Sequence, residues 1–245
     1  MATIRCQDHI FEGIQAVIFD KDGTLANVED YLIALGQMRS HLISHQIPGI
    51  ERSLLSALGL NQGELDPTGL LAVGSRYDNE VALAAYVTAT GRGWIAALEL
   101  VRLACRTAEI ALSPKASQTP LLPGANLLLT KLKQAGVKIG IVSSDSHTEV
   151  AAFIAQHQLS DVDWYRGSSA ETPPKTYPGS LQTACQRLAV SPSATLVIGD
   201  SAADLTLAKQ GAAGFLAMLG GWRQPLSINT VLTCISHLSE VECFN

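Results

Sequence analysis

The sequence predicts an α/β protein in which a doubly wound parallel sheet is interrupted by an all-helical insertion. Residues 15–19 form a continuous apolar run, which is typical of a central parallel strand covered on both faces. In the second half of the chain, apolar strand-like runs alternate with helix-like segments, as they do in strand–helix–strand units. Between these regions, residues 28–112 repeat apolar side chains at helical spacing. We therefore expect a doubly wound core built from residues 1–26 and 119–245, with an inserted helical domain over residues 27–118.

The inserted region contains four segments with helical spacing. They cover residues 28–42 and 50–58, a stretch from residue 78 onwards, and residues 94–111. Gly59 can end the second helix, and Asp78 can be the N-cap of the third. Residues 61–69 are rich in Asn, Gly and Asp and are predicted to be a loop. Prolines at positions 114, 120 and 123 mark the linker that leads back to the core.

The second half of the chain is expected to supply most of the sheet and its covering helices. Helices are expected over residues 124–135, 149–157, 179–188 and 203–210. Strands are expected over residues 137–142, 164–165, 195–198 and 215–218, and near residues 231–235. This alternation predicts a parallel sheet, because each helix can cross over between two strands of the same direction.

Composition limits the kinds of partner and compartment. The 245 residues are 47% hydrophobic, which is ample for a buried core, and they carry a net charge of −5. Only 16% of them are charged, so we expect no nucleic acid and no membrane surface as a partner. No apolar run is long enough to span a bilayer, and the N-terminus does not resemble a secretory signal. The five scattered cysteines form no Cys-x-x-Cys pair, which favours a reducing cytoplasm.

Two carboxylates follow the first predicted strand of the core. Asp20 and Asp22 come directly after the apolar run and precede Gly23. Ligands bind at the carboxyl edge of an open α/β sheet, and a carboxylate there can serve as a nucleophile or a metal ligand. A second acid two residues later lies on the same side of the strand unless the turn redirects it. The alternative is a β-turn rich in Asp and Gly that merely ends a strand.

Two further strand ends, and the loop between them, carry polar residues of complementary type. They are Ser143, Ser144 and Asp145 after one strand, Lys175 in the loop, and Asp200, Ser201 and Asp204 after the other strand. Serines and amides at a helix start can bind an anion, but each of these residues also has an ordinary explanation as a helix cap or a solvated lysine. For Asp145 a cap is the expected role. The order acid pair, hydroxyl, lysine, acid pair is what favours a common site.

Taken together, these residues resemble the haloacid dehalogenase superfamily of phosphotransferases. Residues 20–24 are similar to its first motif, Ser143 to its second, Lys175 to its third, and residues 199–204 to its fourth. The helical block between the first and second motifs resembles the cap of phosphoglycolate phosphatase-like members. The resemblance implies a Rossmann-like catalytic core with an inserted cap, and a phosphatase that acts on a small soluble phosphomonoester.

The resemblance also implies roles for the acids. Asp20 would attack phosphorus and form an aspartyl phosphate. Asp22 would protonate the leaving alcohol and later take a proton from water. Mg²⁺ is implied as the cofactor, held by Asp20, Asp200 and the backbone carbonyl near Asp22. Lys21, between the first two acids, is expected to turn away from the metal, with contact to the leaving group as the alternative.

The remaining motif residues are implied to bind phosphate or to order the metal site. Ser143, Ser144 and Lys175 would contact the phosphoryl oxygens through hydrogen bonds and positive charge. Asp204 and Ser201 are expected to anchor metal-bound water or to order their loop, with direct ligation of the metal by Asp204 as the less favoured alternative.

Substrate specificity is expected to depend on the inserted domain. Gly74, Ser75 and Arg76 precede a predicted helix and could present free amides and a guanidinium to a substrate carboxylate or hydroxyl. The equally favoured alternative is a helix start that faces solvent.

Two other functions stay open on the sequence alone. A phosphomutase of the same scaffold would move phosphate between sugar hydroxyls, although no polar cluster in the insertion demands a sugar. A catalytically silent binding module would have lost at least one charged motif residue, whereas Asp20, Asp22, Lys175 and Asp200 are all present. A Mg²⁺-dependent phosphatase is therefore the leading prediction.

Overall fold

The computed structural model describes residues 2–169, 172–226 and 233–244. The strands of this part of the chain are β1 Ala2–Cys6, β2 His9–Ile14, β3 Ala16–Phe19, β4 Leu60–Asn61, β5 Glu64–Leu65, β6 Lys138–Ser146, β7 Trp164–Ser168, β8 Thr195–Gly199, β9 Gly214–Met218, β10 Cys234–Ile235 and β11 Val241–Phe244. Its α-helices are α1 Glu29–Gln46, α2 Glu51–Ala57, α3 Leu70–Val73, α4 Arg76–Thr88, α5 Trp94–Ala111, α6 Lys115–Gln118, α7 Ala125–Gln134, α8 His147–Gln156, α9 Ser180–Leu188 and α10 Ala202–Ala208. The chain forms two compact units, one of Met1–Asn27 with Thr119–Asn245 and the other of Val28–Gln118.

Six parallel strands form the main sheet of the first unit. Their order is β10-β9-β8-β3-β6-β7, so β3 lies between two strands that come much later in the chain. Phe19 at the end of β3 is in register with Ile141 of β6 and with Ile198 of β8. All four residues of β3 are buried, as expected for a central strand. The predicted doubly wound α/β core is confirmed.

Helices cover both faces of this sheet, which places one apolar core on each side. On one face, Phe19 and Ile141 pack with buried side chains of α7 and α8. On the other face, Ile18 and Val142 pack with side chains of α9 and α10. Consecutive residues of a strand point to opposite faces, so the residue that follows Phe19 faces the side of α9 and α10.

The strand β6 is longer than the sequence predicts, and this shifts the start of the next helix. It continues to Ser146, and α8 begins at His147 rather than near residue 149. The N-cap is Ser146, whose hydroxyl oxygen accepts a hydrogen bond from the backbone N–H of Glu149 at 3.2 Å. The expected cap role of Asp145 is therefore wrong. Of the predicted strand near residues 231–235, residues 231–232 lie outside the described part of the chain.

A three-stranded antiparallel sheet at the chain termini was not predicted. It has the order β11-β1-β2, so the C-terminal strand pairs with the N-terminal one. In β1, Ala2, Ile4 and Cys6 alternate with less buried residues and join the core of the first face. This alternation was the available signal, but the partner strand lies more than two hundred residues away in the chain. Local patterns carry no information about such a pairing.

The second unit is mainly helical, and it differs from the sequence prediction in several places, among them the short helices α3 and α6. A short antiparallel hairpin of β4 and β5, with Leu60 opposite Leu65, replaces the predicted loop. Its two leucines are buried, which explains why these residues are ordered. The helix α4 begins at Arg76, because Ser75 is the N-cap and Asp78 completes a capping box from inside the helix. In the described part of the chain, no helix is long and apolar enough to cross a membrane.

Candidate active site

The candidate site begins where β3 and β8 end at the carboxyl edge of the main sheet. Asp20 directly follows β3, and Asp200 directly follows the neighbouring strand β8. The backbone N–H of Asp20 donates to the carbonyl of Ile198 at 2.9 Å, which ties the two strand ends together. Both carboxyl groups are buried, with 5% and 4% of the residue exposed. Two acids that are far apart in sequence thus lie side by side, as the parallel arrangement predicts.

The turn after Asp20 needs glycine at position 23. The carbonyl of Lys21 accepts hydrogen bonds from the N–H groups of Leu25 at 2.9 Å and Ala26 at 2.8 Å, which folds the chain back sharply. Gly23 has a φ of +78°, and a Cβ at this position would lie 2.4 Å from Oδ2 of Asp200. A larger residue would therefore strain the turn and displace an acid of the site.

Three buried carboxylates form a cluster that could hold a cation. Among the described residues, Asp20, Asp200 and Asp204 each offer an oxygen, and these oxygens lie within 4.8 Å of one another. Asp204 is on the first turn of α10 and is 1% exposed. Carboxylate oxygens are the ligands that Mg²⁺ prefers. The carboxylate of Asp22 is not one of the three acids of this cluster, and a backbone carbonyl near Asp22 stays the predicted further ligand.

One lysine lies against the cluster. Nζ of Lys175 donates to Oδ1 of Asp20 at 2.8 Å and to Oδ1 of Asp204 at 2.7 Å. The ammonium is buried, which by itself lowers the pKa, but the charges of Asp20 and Asp204 outweigh burial and raise it. Lys175 is therefore positively charged at neutral pH. The structure thus brings Lys175, the lysine of the third predicted motif, into contact with Asp20 after β3 and with Asp204 in α10.

The charges of the cluster fit a divalent cation. Burial and the charges of Asp204 and Asp22 raise the pKa of Asp20 from 3.8 to about 7, although Lys175 lowers it. Burial and the charges of Asp20 and Asp204 also raise the pKa of Asp200 well above 3.8. Three carboxylates and one ammonium leave an excess of two negative charges when all are ionised. The donor set thus matches Mg²⁺ in both atom type and charge.

Asp22 and Lys21 form a separate ion pair beside the cluster. Nζ of Lys21 contacts Oδ1 of Asp22 and lies 3.0 Å from Oδ2 of Asp145. The side chain of Lys21 is 1% exposed, whereas that of Asp22 is 18% exposed. Asp22 is therefore the more accessible acid of the first pair.

The two predicted phosphate-binding serines lie at the end of β6. Ser143 is buried, and its hydroxyl oxygen accepts from the backbone N–H of Asp145 at 3.1 Å. The hydroxyl proton remains able to donate to an anion. The carbonyl of Ser144 accepts from the hydroxyl of Ser168 at 2.7 Å, which joins β6 to β7. The free helix amides that the sequence suggested directly after Ser143 are not there, because β6 continues to Ser146.

Ser201 and Asp204 form the capping box of α10. The hydroxyl of Ser201 donates to Oδ2 of Asp204 at 2.6 Å, and its backbone N–H donates to the same oxygen at 3.1 Å. Since Oδ1 of Asp204 already accepts from Lys175, both oxygens of this acid have protein partners. This favours the predicted loop-ordering role of the pair.

Trp222 is a site residue that sequence reasoning missed. Its indole Nε1 donates to Oδ2 of Asp200 at 2.6 Å, and the residue is 9% exposed. The two glycines before it allow this approach, because a Cβ on Gly221 would lie 1.8 Å from the carbonyl oxygen of Gly23. The Gly-Gly-Trp sequence soon after a predicted strand was the available signal.

A second missed residue is Arg166 in β7. Val142 of β6 is in register with Arg166, and Ile141 is in register with both Phe19 and Tyr165. Asp20 and Arg166 therefore fall in one row across the sheet and face the same side, and their Cα atoms lie roughly 10 Å apart. Among the described residues, no acid pairs with Arg166, and burial alone lowers the pKa of its guanidinium.

The predicted specificity residues of the second unit take part in bonds within that unit. Ser75 forms the capping box of α4 with Asp78. The guanidinium of Arg76 pairs with Glu80 at 2.9 Å and with Glu109 at 2.8 Å. Gly74 lies against the helix α3, since a Cβ would be 2.6 Å from the carbonyl oxygen of Leu70. Their role in substrate choice stays a prediction.

Comparison with known proteins gives the same family as the motifs. Residues 14–211 match the model of the haloacid dehalogenase-like hydrolases, which confirms the resemblance. A haloacid dehalogenase-like hydrolase from Bacteroides fragilis is similar in structure, with a TM-score of 0.65 and 24% identity over 93% of this chain and 99% of that one. No curated protein sequence matches the chain.

Two further solved structures share the fold. A predicted phosphoglycolate phosphatase from Haemophilus somnus has a TM-score of 0.67 at 14% identity, over 93% of this chain and 96% of that one. A protein described as a β-phosphoglucomutase, from Thermotoga maritima, has a TM-score of 0.63 at 16% identity over the same shares. At these identities the likeness concerns the fold alone.

Proposed function

Because this chain belongs to the haloacid dehalogenase-like hydrolases, we propose that it is a Mg²⁺-dependent phosphatase of a small soluble phosphomonoester. The observation that carries the proposal is the arrangement of two acids after one strand. Asp20 is buried in a cluster of acids with Lys175, whereas Asp22 is half-buried outside it. One acid can therefore act as a nucleophile and the other as a proton donor.

In the first step, a carboxylate oxygen of Asp20 attacks phosphorus and the bond to the leaving oxygen breaks. The product is an aspartyl phosphate, a known form of covalent catalysis. Asp22 donates its proton to the leaving alcohol. In the second step, Asp22 takes a proton from water as the water oxygen attacks phosphorus, and the carboxylate of Asp20 is restored.

The acid cluster is the proposed cofactor site. Asp20 and Asp200 would hold Mg²⁺ together with a backbone carbonyl near Asp22, and Asp204 with Ser201 would order the surrounding loop or bound water. Bound Mg²⁺ supplies positive charge that offsets the repulsion between a carboxylate and a dianionic phosphate. The surplus negative charge of the buried acids supports this assignment.

The remaining contacts of the phosphate are proposed from residues around the cluster. Lys175 offers a fixed positive charge, and Ser143 offers a hydroxyl proton. Ser144 lies next to Ser143 at the same edge and offers a second hydroxyl. Together these groups bind developing negative charge on phosphoryl oxygens.

The unit Val28–Gln118 is the proposed cap, and Gly74, Ser75 and Arg76 remain its candidate specificity residues. The predicted cytoplasmic location is kept as part of the proposal, since all five cysteines are free thiols. The substrate is proposed to resemble phosphoglycolate, a small acid bearing a phosphate ester.

A phosphomutase is the second candidate, because one structural relative is described as a β-phosphoglucomutase. A mutase must protect its aspartyl phosphate from water, whereas a phosphatase releases inorganic phosphate. Isomer formation from a sugar phosphate that exceeds phosphate release would favour the mutase over the phosphatase.

The test is hydrolysis of 4-nitrophenyl phosphate and of a panel of small phosphate esters, with Mg²⁺ present. Asp20→Asn should abolish turnover, and excess chelator should abolish it in the wild-type protein. Asp8→Asn, in the exposed turn between β1 and β2, is the matched control and should retain full activity. Turnover by Asp20→Asn would contradict the nucleophile assignment, and an inactive wild type on the whole panel would favour a silent binding module.

A further inference from the structure

Lys21 is an ammonium group enclosed between acids and an aromatic ring. Its side chain is 1% exposed, and Nζ lies 5.3 Å from the ring centroid of Phe153 in α8. Phe153 belongs to the apolar core on the α7 and α8 face of the sheet. Lys21 therefore enters the site from the face opposite to Asp20 and Lys175.

Burying an ammonium costs several kcal/mol unless carboxylates compensate for it. Lys21 has two such partners, Asp22 in the same turn and Asp145 at the end of β6. Oδ1 of Asp145 accepts from the backbone N–H of Ser146 at 2.9 Å, and its Oδ2 is the oxygen that faces Lys21. An apolar residue would fill this position at lower cost, so stability alone does not explain a lysine here.

We propose that Lys21, anchored by Asp145, is a positioning residue that holds the carboxyl group of Asp22 in place for proton transfer to the leaving group. The inference rests on the proposed phosphatase function. Lys21 contacts one oxygen of Asp22 and thereby fixes the rotamer of its side chain. This contact matters because Asp22, in the turn after β3, is only half-buried. Oδ2 of Asp145, at the end of the neighbouring strand β6, lies 3.0 Å from Nζ of Lys21. The position of Lys21 therefore depends on β6 as well as on the turn after β3.

Two buried lysines of this site, Lys175 and Lys21, therefore each contact two acids. Lys175 contacts Asp20 and Asp204, and Lys21 contacts Asp22 and Asp145. Lys21 thus holds Asp22 outside the acid cluster to which Asp20 belongs.

The proposal predicts a dependence on the leaving group. An alkoxide leaves poorly without a proton, whereas 4-nitrophenolate leaves without one, so general acid catalysis matters much more for alkyl esters. The measured quantity is kcat/KM, which reports the steps up to the first phosphoryl transfer. It should be determined for 4-nitrophenyl phosphate and for the best alkyl phosphate of the panel.

Lys21→Met should lower kcat/KM for the alkyl ester at least tenfold more than for the aryl ester. Asp145→Asn, which keeps the size of the side chain, should show the same selectivity with a smaller loss. The affinity for Mg²⁺, measured by calorimetry, should change less than about threefold in both variants, since neither residue belongs to the acid cluster. Lys209→Met, an exposed lysine after α10, is the control and should change neither rate.

An equal loss for both esters in the variants would overturn the proposal, because a general structural defect does not depend on the leaving group. Unchanged rates would overturn it too. If Lys21→Met fails to fold, the same comparison in Asp145→Asn decides the question. A wild type that hydrolyses neither ester would overturn the phosphatase function itself, and this inference with it.

Discussion

In the metal-free protein, ionisation of Asp20 should weaken the fold as the pH rises, and Asp20→Asn should remove this effect. Burial and the charges of Asp204 and Asp22 raise the pKa of Asp20 from 3.8 to about 7. The pKa of Asp20 is higher in the folded state than in the unfolded state. Between about pH 4 and pH 7, folded Asp20 therefore keeps a proton that unfolded Asp20 has released. The contribution to stability is therefore complete below about pH 4 and is lost as the pH rises through about 7.

The magnitude follows from the width of that window. A change of one in pKa corresponds to about 1.4 kcal/mol, so the rise of the Asp20 pKa from 3.8 to about 7 gives roughly 4 kcal/mol. Asp20→Asn also removes one of the two ion pairs of Lys175, but that ammonium stays charged throughout this pH range. As the pH rises from about 4 to about 8, the free energy of unfolding of the wild type should thus fall by roughly 4 kcal/mol relative to that of Asp20→Asn.

The assay is urea unfolding followed by circular dichroism, in excess chelator, at several values between about pH 4 and pH 8. Saturating Mg²⁺ should then stabilise the wild type more than the variant, because the ion binds the folded acids. A free-energy difference that stays constant with pH would refute the reasoning, since it would show that Asp20 is ionised equally in both states.

Two further variants test residues that only the structure identified. Trp222→Phe removes the indole donor to Asp200 and should weaken Mg²⁺ binding about tenfold or more, measured by calorimetry, with circular dichroism unchanged. Arg166→Leu removes a guanidinium on the same face as Asp20 that has no acidic partner among the described residues. KM should therefore rise at least tenfold for a phosphate ester whose leaving group carries a carboxylate, and little for one whose leaving group is uncharged, such as 4-nitrophenyl phosphate. An unchanged Mg²⁺ affinity, or an equal rise in KM for both esters, would contradict the respective assignment.

Local patterns predicted the elements of the sheet well because parallel strands buried on both faces are continuous apolar runs. The strand before Asp20 and the one before Asp200 were both expected from such runs, and both lie next to each other in the sheet. Patterns failed where an element depends on a distant partner, as for β1 and β11, or on a capping contact, as at Ser75 and Ser146.

The sequence by itself determined the family, the doubly wound fold and the grouping of the motif residues at one sheet edge. It could do so because parallel strands bring their carboxyl ends together, so that residues after different strands converge whatever their spacing in the chain. Only the tertiary structure decided which charged and polar side chains pair with one another. It placed Lys175 between Asp20 and Asp204, turned Lys21 towards Asp22 and Asp145, and brought Trp222 onto Asp200. Such pairings depend on side-chain direction and burial in three dimensions, which spacing along the chain does not specify.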